Sequence, residues 1–127
     1  MYNYMNIEFL NKTRKRVNEN FFLPYVKSGE KIIQKRIRGL CGKEKKLTLS
    51  LTLVNDEEMA DINEKWRGKI GSTDVLSFSY VEKPSDFPFD GLVWDIIISV
   101  EKVEQKAPDK NHTFREELAV MFVHGFL

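Results

Sequence analysis

Residues 47–54 read Leu-Thr-Leu-Ser-Leu-Thr-Leu-Val, with Leu47, Leu49, Leu51 and Leu53 separated by single hydroxyl residues. Successive side chains of a strand point to opposite faces, so this period of two defines a strand with one buried, apolar face and one polar face. Such a strand needs neighbours to pair with and helices or a second sheet to cover its leucines. The flanking sequence supplies both. From Asn3 to Asn11, Ile7, Phe9 and Leu10 alternate with polar residues and suit a first strand. Between Pro24 and Leu40, the residues Val26, Ile33, Ile37 and Leu40 recur at helical spacing and leave Lys27, Lys31, Lys35 and Arg38 outside, which predicts a basic amphipathic helix ending near Gly39–Gly42.

After the leucine strand, Asn55 is placed to cap a helix from Asp56 to about Lys65, with Glu58 three residues on and Met59, Ile62 and Trp66 on one face. The stretches STDVLSFSY and LVWDIIISV read as two strands separated by a loop at 81–91 that carries Pro, Asp and Gly. A short helix, SVEKVEQKA, is expected before Pro108. Thr113 and Glu116 then form a T-x-x-E box opening a last helix, with Phe114, Leu118, Met121 and Phe122 on one stripe. The order strand, helix, strand, helix, strand, strand, helix, helix implies an α+β fold: a small mixed sheet of about four strands packed with helices.

A chain of 127 residues fits one domain. Its 42% apolar and 31% charged residues are those of a globular protein rather than a disordered or collagen-like one. A single cysteine, Cys41, excludes an intrachain disulfide and a multi-cysteine metal site, and it reads most simply as a small residue in a turn. The first residues have apolar character before the basic run, the reverse of a secretory signal, and no run reaches the length of a membrane span; a cytoplasmic, soluble protein is expected. Net charge is +1, yet residues 1–46 hold 12 Lys/Arg against 4 Asp/Glu while residues 47–127 hold 8 against 15. A basic half of this kind suits a phosphate backbone, and it equally suits a solvated helix face.

The chain has two histidines, His112 and His124, twelve positions apart, and this spacing does not make a metal-binding pair. His124 stands out through its company: NEKWRGKIGSTDVLSFSY at 63–80, LVWDIIISVEKVEQKA at 92–107 and EELAVMFVHGFL at 116–127. Their order and spacing resemble the YbeY family of single-strand-specific endoribonucleases. The family's first element, N-x-x-aromatic-R-x-K running into T-D-V-L-S-F, is matched by Asn63, Trp66, Arg67, Lys69, Thr73, Asp74, Val75, Leu76, Ser77 and Phe78, with Ser72 in its proline-or-serine position. The second, a G-D-I-x-I strand, is matched by Asp95, Ile96 and Ile98, with Trp94 replacing the glycine. His124, Gly125 and Leu127 match the opening of the third, H-G-x-L-H, whose two further histidines are expected beyond Leu127, as is the last part of the family domain.

The resemblance implies a C-terminal helix bearing a metal motif, with zinc as cofactor and His124 as one of three imidazole ligands. It also implies single-stranded RNA as substrate, ribosomal RNA and the small ribosomal subunit as partners, and a role in maturing the 3′ end of small-subunit rRNA and in ribosome quality control. Three imidazoles leave zinc an open position for water, whose pKa falls to roughly 7. Arg67 is the candidate for stabilising charge on the phosphate oxygens; the structural alternative is a salt bridge to Asp61, Glu64 or Asp74. Lys35, Arg36, Arg38, Lys69, Thr73 and Ser77 are candidate RNA contacts, while Thr73 and Asp74 equally suit turn capping. Asp95, in an apolar strand, needs a partner: a ligand histidine to orient, Arg67, or a helix to cap. Tyr80, Phe87, Phe89 and Trp94 are candidate stacking rings, with core packing preferred for Trp94. Two other readings remain open. One is a non-catalytic RNA- or ribosome-binding module with an incomplete metal site. The other is a metallopeptidase, which Gly125 disfavours because it stands where the general-base glutamate would be.

Overall fold

A computed structural model describes residues 5–41, 46–81 and 91–126. Along the chain run β1 (Met5–Asn11), a 3-10 turn (Glu19–Phe21), α1 (Leu23–Cys41), β2 (Lys46–Val54), α2 (Asp56–Arg67), β3 (Val75–Val81), β4 (Gly91–Ser99), α3 (Val100–Asp109) and α4 (Phe114–Phe126). The sheet order is β1-β2-β4-β3. β2 pairs in parallel with β1 and with β4, and β3 runs antiparallel to β4 on an edge. The expected mixed four-stranded sheet is therefore present, and its parallel pairs are joined through helices, as parallel strands require.

The leucine alternation of β2 decides how the layers stack. Leu47, Leu49, Leu51 and Leu53 are buried together with Ile96 and Ile98 of β4, and on them pack Phe22 just before α1, Val26 and Ile33 of α1, Val100 and Val103 of α3, and Leu118, Met121, Phe122 and Phe126 of α4. Each fully buried side chain of this size contributes about 1.5–3 kcal/mol. The other face is served by α2: Met59 joins Val54 and Leu76, with Ile62, Phe78 and Ile97 against them.

Several expectations change in detail. Trp66 does not share the buried face of α2 with Met59 and Ile62; it is 73% exposed, and Asn63 takes the inward position one turn after Met59. α2 runs on to Arg67, and the helix expected to stop before Pro108 includes it. Pro108 lies in the last turn, where its missing N–H costs one hydrogen bond at a fraying end. The helix is then closed by Asn111 at φ 58°, with the amides of Asn111 and His112 donating to the carbonyls of Pro108 and Ala107. Asn55 accepts from the Glu58 amide as expected, but the Glu58 carboxylate pairs with Lys12 rather than turning back to complete a box. In α4 the T-x-x-E box is complete, Glu116 accepting from the Thr113 amide at 2.8 Å and Thr113 from the Glu116 amide at 3.1 Å. Asn3 and Tyr4, the side chains of Ile37 and Leu40, the side chain of Cys41 with Gly42, and the loop with Phe87 and Phe89 lie outside the described residues.

α1 meets α4 at Gly29, where an added Cβ would stand 2.5 Å from Cε2 of Phe126. Replacing Gly29 with Ala gains about 1 kcal/mol of helix propensity. The Phe126 ring, itself packed on Phe122 and Trp94, would have to move, and overpacking of that kind costs about 1–3 kcal/mol. Gly29→Ala should therefore lower the urea midpoint; a raised midpoint would show that the ring yields freely.

Candidate functional site at the edge of the sheet

The segment from Asn63 to Val75 is tied down from both ends. Gly68 terminates α2 in the left-handed conformation, φ 66°, its amide reaching Glu64 at 3.1 Å. The Asn63 amide donates to the Gly71 carbonyl at 2.9 Å, and Gly71 itself has φ 97°. Only glycine takes such angles without strain. Further on, Ser72 donates to Asp56 at 2.5 Å, and Ser99, the N-cap of α3, donates to the same carboxylate oxygen at 3.0 Å. Burial alone would raise the Asp56 pKa, but Ser72, Ser99 and nearby Lys102 outweigh it and hold the carboxyl below its ordinary value.

Asp74 opens β3. Its carboxylate accepts from the Val75 amide at 2.8 Å and from Lys106, and its carbonyl accepts from the Ser99 amide at 2.9 Å. Burial pushes its pKa up, and Lys106 with the Val75 amide more than reverses the shift. Asp74 thus serves the turn and an ion pair with α3. Thr73 sits beside it, its hydroxyl 3.4 Å from Asp74.

Arg67 forms no ion pair with Asp61, Glu64 or Asp74 among the described residues. Its Nη2 donates to the Ser77 carbonyl at 3.0 Å, and the guanidinium lies 5.0 Å from the centre of the Phe78 ring. Held in this way by one nitrogen and a ring face, the exposed guanidinium retains further N–H donors for a ligand.

The last turn of α4 comes down on the same part of the sheet. A Cβ on Gly125 would lie 2.9 Å from Val75 and 3.4 Å from Ile96, so only glycine permits this approach. Val75 and Ile96 share a face with Ser77, and Thr73 precedes the strand. His124, the neighbour of Gly125, is exposed at this end. Ser77 lies on the α4 face of β3, and exposed His124 is in the turn of α4 that Gly125 seats on Val75; Arg67 is bound to the main chain of the same strand, but its guanidinium lies on the Phe78 ring, on the opposite face, and exposed Lys69 is in the loop before it. Lys35 is exposed on α1. The side chains of Arg36, Arg38 and Tyr80 lie outside the described residues.

Asp95 is on the opposite face, beside Phe78 and Ser50, so β4 separates it from His124 and it does not orient that imidazole. Nor does it pair with Arg67 or cap a helix among the described residues; burial alone pushes its carboxyl up. Trp94 packs into the core, edge-on to Phe126 at 6.1 Å, as core packing predicts. His112 binds Glu117 through Nδ1 at 2.9 Å. Among the described residues, no three His, Cys, Asp or Glu side chains converge on a metal-sized point.

Three structural roles escape the sequence reading. Asn63 and Asp56 hold the Arg67 loop, and Glu117, fully buried, ties α3 to α4 through Lys110 and His112, each at 2.9 Å. Asn63 carried a signal, being a polar residue one turn after Met59 on the inward face. Glu117 carried a similar one beside Leu118.

A fold of this class is also found in a solved structure. The solution structure of TM1509 from Thermotoga maritima matches at TM-score 0.52 with 24% identity, covering 94% of this chain and 68% of that one. The profile described as endoribonuclease YbeY matches residues 10–127, and the chain belongs to the YbeY family. Endoribonuclease YbeY of Exiguobacterium sp. is 39% identical over 93 residues, 68% of this chain and 59% of that protein. The same-named protein of Desulfitobacterium hafniense is 42% identical over 69% of this chain and 59% of its own length, and that of Moorella thermoacetica 44% identical over 62% and 54%. The matched part thus spans little more than half the length of these curated relatives. No helix among the described residues is long and apolar enough to cross a membrane.

Glu117 generates a pH dependence. Burial would raise its pKa from the ordinary 4.5, but hydrogen bonds from Lys110 and His112 hold it below that value. A carboxylate depressed on folding adds stability that is complete above its unfolded pKa and is lost as pH falls through the folded one. Urea midpoints of the wild type should fall as pH drops below about 4.5, and Glu117→Gln should flatten that acid limb while lowering the midpoint at pH 7. Parallel curves for the two proteins would remove Glu117 from this role.

Proposed function

We propose that this protein is a zinc-dependent endoribonuclease that cleaves single-stranded RNA, acting in the cytoplasm on the 3′ end of small-subunit ribosomal RNA and in ribosome quality control. The observation that carries the proposal is Arg67: a guanidinium anchored on the Ser77 carbonyl and the Phe78 ring, without a carboxylate partner among the described residues, on the strand edge that the His124 end of α4 approaches. Membership of the YbeY family supports RNA as the substrate.

The residues described here do not make a zinc site by themselves, since a stable catalytic site takes three protein donors and His124 is one. In this reading His124 supplies one imidazole, and the remaining donors lie outside the described residues. What this chain's own residues contribute is substrate placement. Arg67 offers parallel N–H donors to two non-bridging phosphate oxygens, Lys69 and Lys35 add positive charge for the backbone, and the Ser77 hydroxyl lies across the β3 edge from the guanidinium, with Thr73 in the loop before the strand. The rigid loop from Gly68 to Gly71 keeps Arg67 in register with β3.

The lone imidazole favours one second reading, a binding module that holds ribosomal RNA without cutting it. Incubating a single-stranded oligoribonucleotide with the full natural protein, with and without chelator, separates the two. Chelator-sensitive internal cleavage is expected, and binding with no cleavage would leave the module. Arg67→Ala should reduce kcat/KM by about 10²–10³ while the circular dichroism spectrum is retained. Loss of the folded state instead would assign Arg67 to structure alone.

A further inference from the structure

The other side chains of the Arg67 loop raise a question that phosphate binding leaves open. Trp66 is 73% exposed and Ile70 95% exposed, two large apolar side chains on either side of Arg67 and Lys69. Tryptophan is highly buried on average, and the sequence of α2 gives Trp66 an inward register with Met59 that the structure does not use. Its exposure is not a consequence of looseness, because Gly68, the Asn63–Gly71 hydrogen bond and the Lys69 amide, 3.4 Å from the Asn63 carbonyl, hold the segment on both sides of it.

Charge identifies what the ring is for. Residues 64–71 contain one acid, Glu64, against Lys65, Arg67 and Lys69, and none of these cations forms an ion pair among the described residues. A flat aromatic surface among unpaired cations matches a nucleic-acid strand with its base unstacked: the base lies on the ring while the cations take the phosphates. A protein surface without carboxylates would leave the three cations without counter-charge, and a duplex hides its base faces in the stack.

We propose that Trp66 is a stacking residue for an unpaired base, that Ile70 borders the same base position, and that this contact selects single-stranded over double-stranded RNA next to the phosphate held by Arg67. The inference rests on the RNA-cleaving reading and adds the group that recognises an unpaired substrate. A ring fixed before binding loses little conformational freedom on contact, so most of the stacking energy appears as affinity.

The test uses the full natural protein, a fluorescein-labelled single-stranded 12-nucleotide RNA and the blunt duplex of the same sequence, read by anisotropy. Trp66→Ala should weaken single-strand binding about tenfold and leave duplex binding unchanged, whereas Trp66→Phe, which keeps a ring, should stay within about twofold of wild type. In turnover, the Ala variant should raise KM with kcat little changed. Equal affinity of Trp66→Ala and wild type, or an equal loss on single strand and duplex, overturns the proposal. Should Trp66→Ala fail to fold, the emission difference between wild type and Trp66→Phe decides: quenching by the single strand and not by the duplex supports stacking, and its absence overturns it. Normal cleavage with unaltered KM in the Ala variant overturns the stacking role alone. Ring-dependent binding without cleavage by the wild type overturns the nuclease reading alone.

Discussion

The packing of the helices on the leucine face of β2 is the contact on which the rest depends. β2 is interior to the sheet and pairs in parallel on both sides, so all its main-chain groups are engaged and its register fixes those of β1 and β4 together. Leu49 and Leu53 are wholly removed from solvent. A slip of one residue would turn Thr48, Ser50 and Thr52 toward Phe22 before α1 and the phenylalanines of α4 and bury hydroxyls without partners. The same register sets Val54 opposite Ser99, which brings the starts of α2 and α3 close enough for the Asp56 amide to donate to Glu101 at 2.6 Å.

From that base, two glycines permit what larger residues would block. Gly29 lets α1 close on Phe126, and Gly125 seats the last turn of α4 on Val75 and Ile96. Both approaches concern one end of α4, so the helix that carries His124 is located by contact with a strand and with another helix, independently of anything His124 itself binds. Arg67 is placed by a different route, through the cap and loop that follow α2. Its guanidinium reaches the main chain of the edge strand rather than a neighbouring acid, and it therefore keeps its charge available at the surface.

Buried and half-buried carboxylates join these parts. Asp56 collects Ser72 and Ser99, linking α2, the loop before β3 and the start of α3. Asp74 joins β3 to α3 through Lys106, and Glu117 joins α3 to α4 through Lys110 and His112. Glu117 is taken fully out of water, and Asp56 and Asp74 partly, at a cost that their donors offset only while they remain in place. Such ties penalise displacement of one element relative to the next more than apolar contacts do, because an apolar surface can slide while a buried charge cannot lose its partner.

The elements themselves were legible in the sequence, because periodicity and capping are local: the leucine alternation marked β2, the lysine-faced stretch α1, and Thr113 with Glu116 the start of α4. The family was legible for a similar reason, since Asn63, Arg67, Lys69, Thr73–Phe78 and Asp95–Ile98 form a linear pattern. Where local rules failed, contacts between distant residues decided. Trp66 had the spacing of a core residue, but Asn63, bound to Gly71, holds the inward position one turn after Met59, and the Trp66 ring is exposed. Asp95 looked suited to orient an imidazole; strand pairing puts it on the far face from α4. His112, which its spacing from His124 had set apart from a metal pair, is bound to a glutamate five residues on. The sequence by itself determined which segments are helices and strands and which side chains each face offers, since these follow from neighbours along the chain. Only the tertiary structure decided which faces meet and which charges keep a partner, because packing and hydrogen bonding act between residues that the sequence separates by tens of positions.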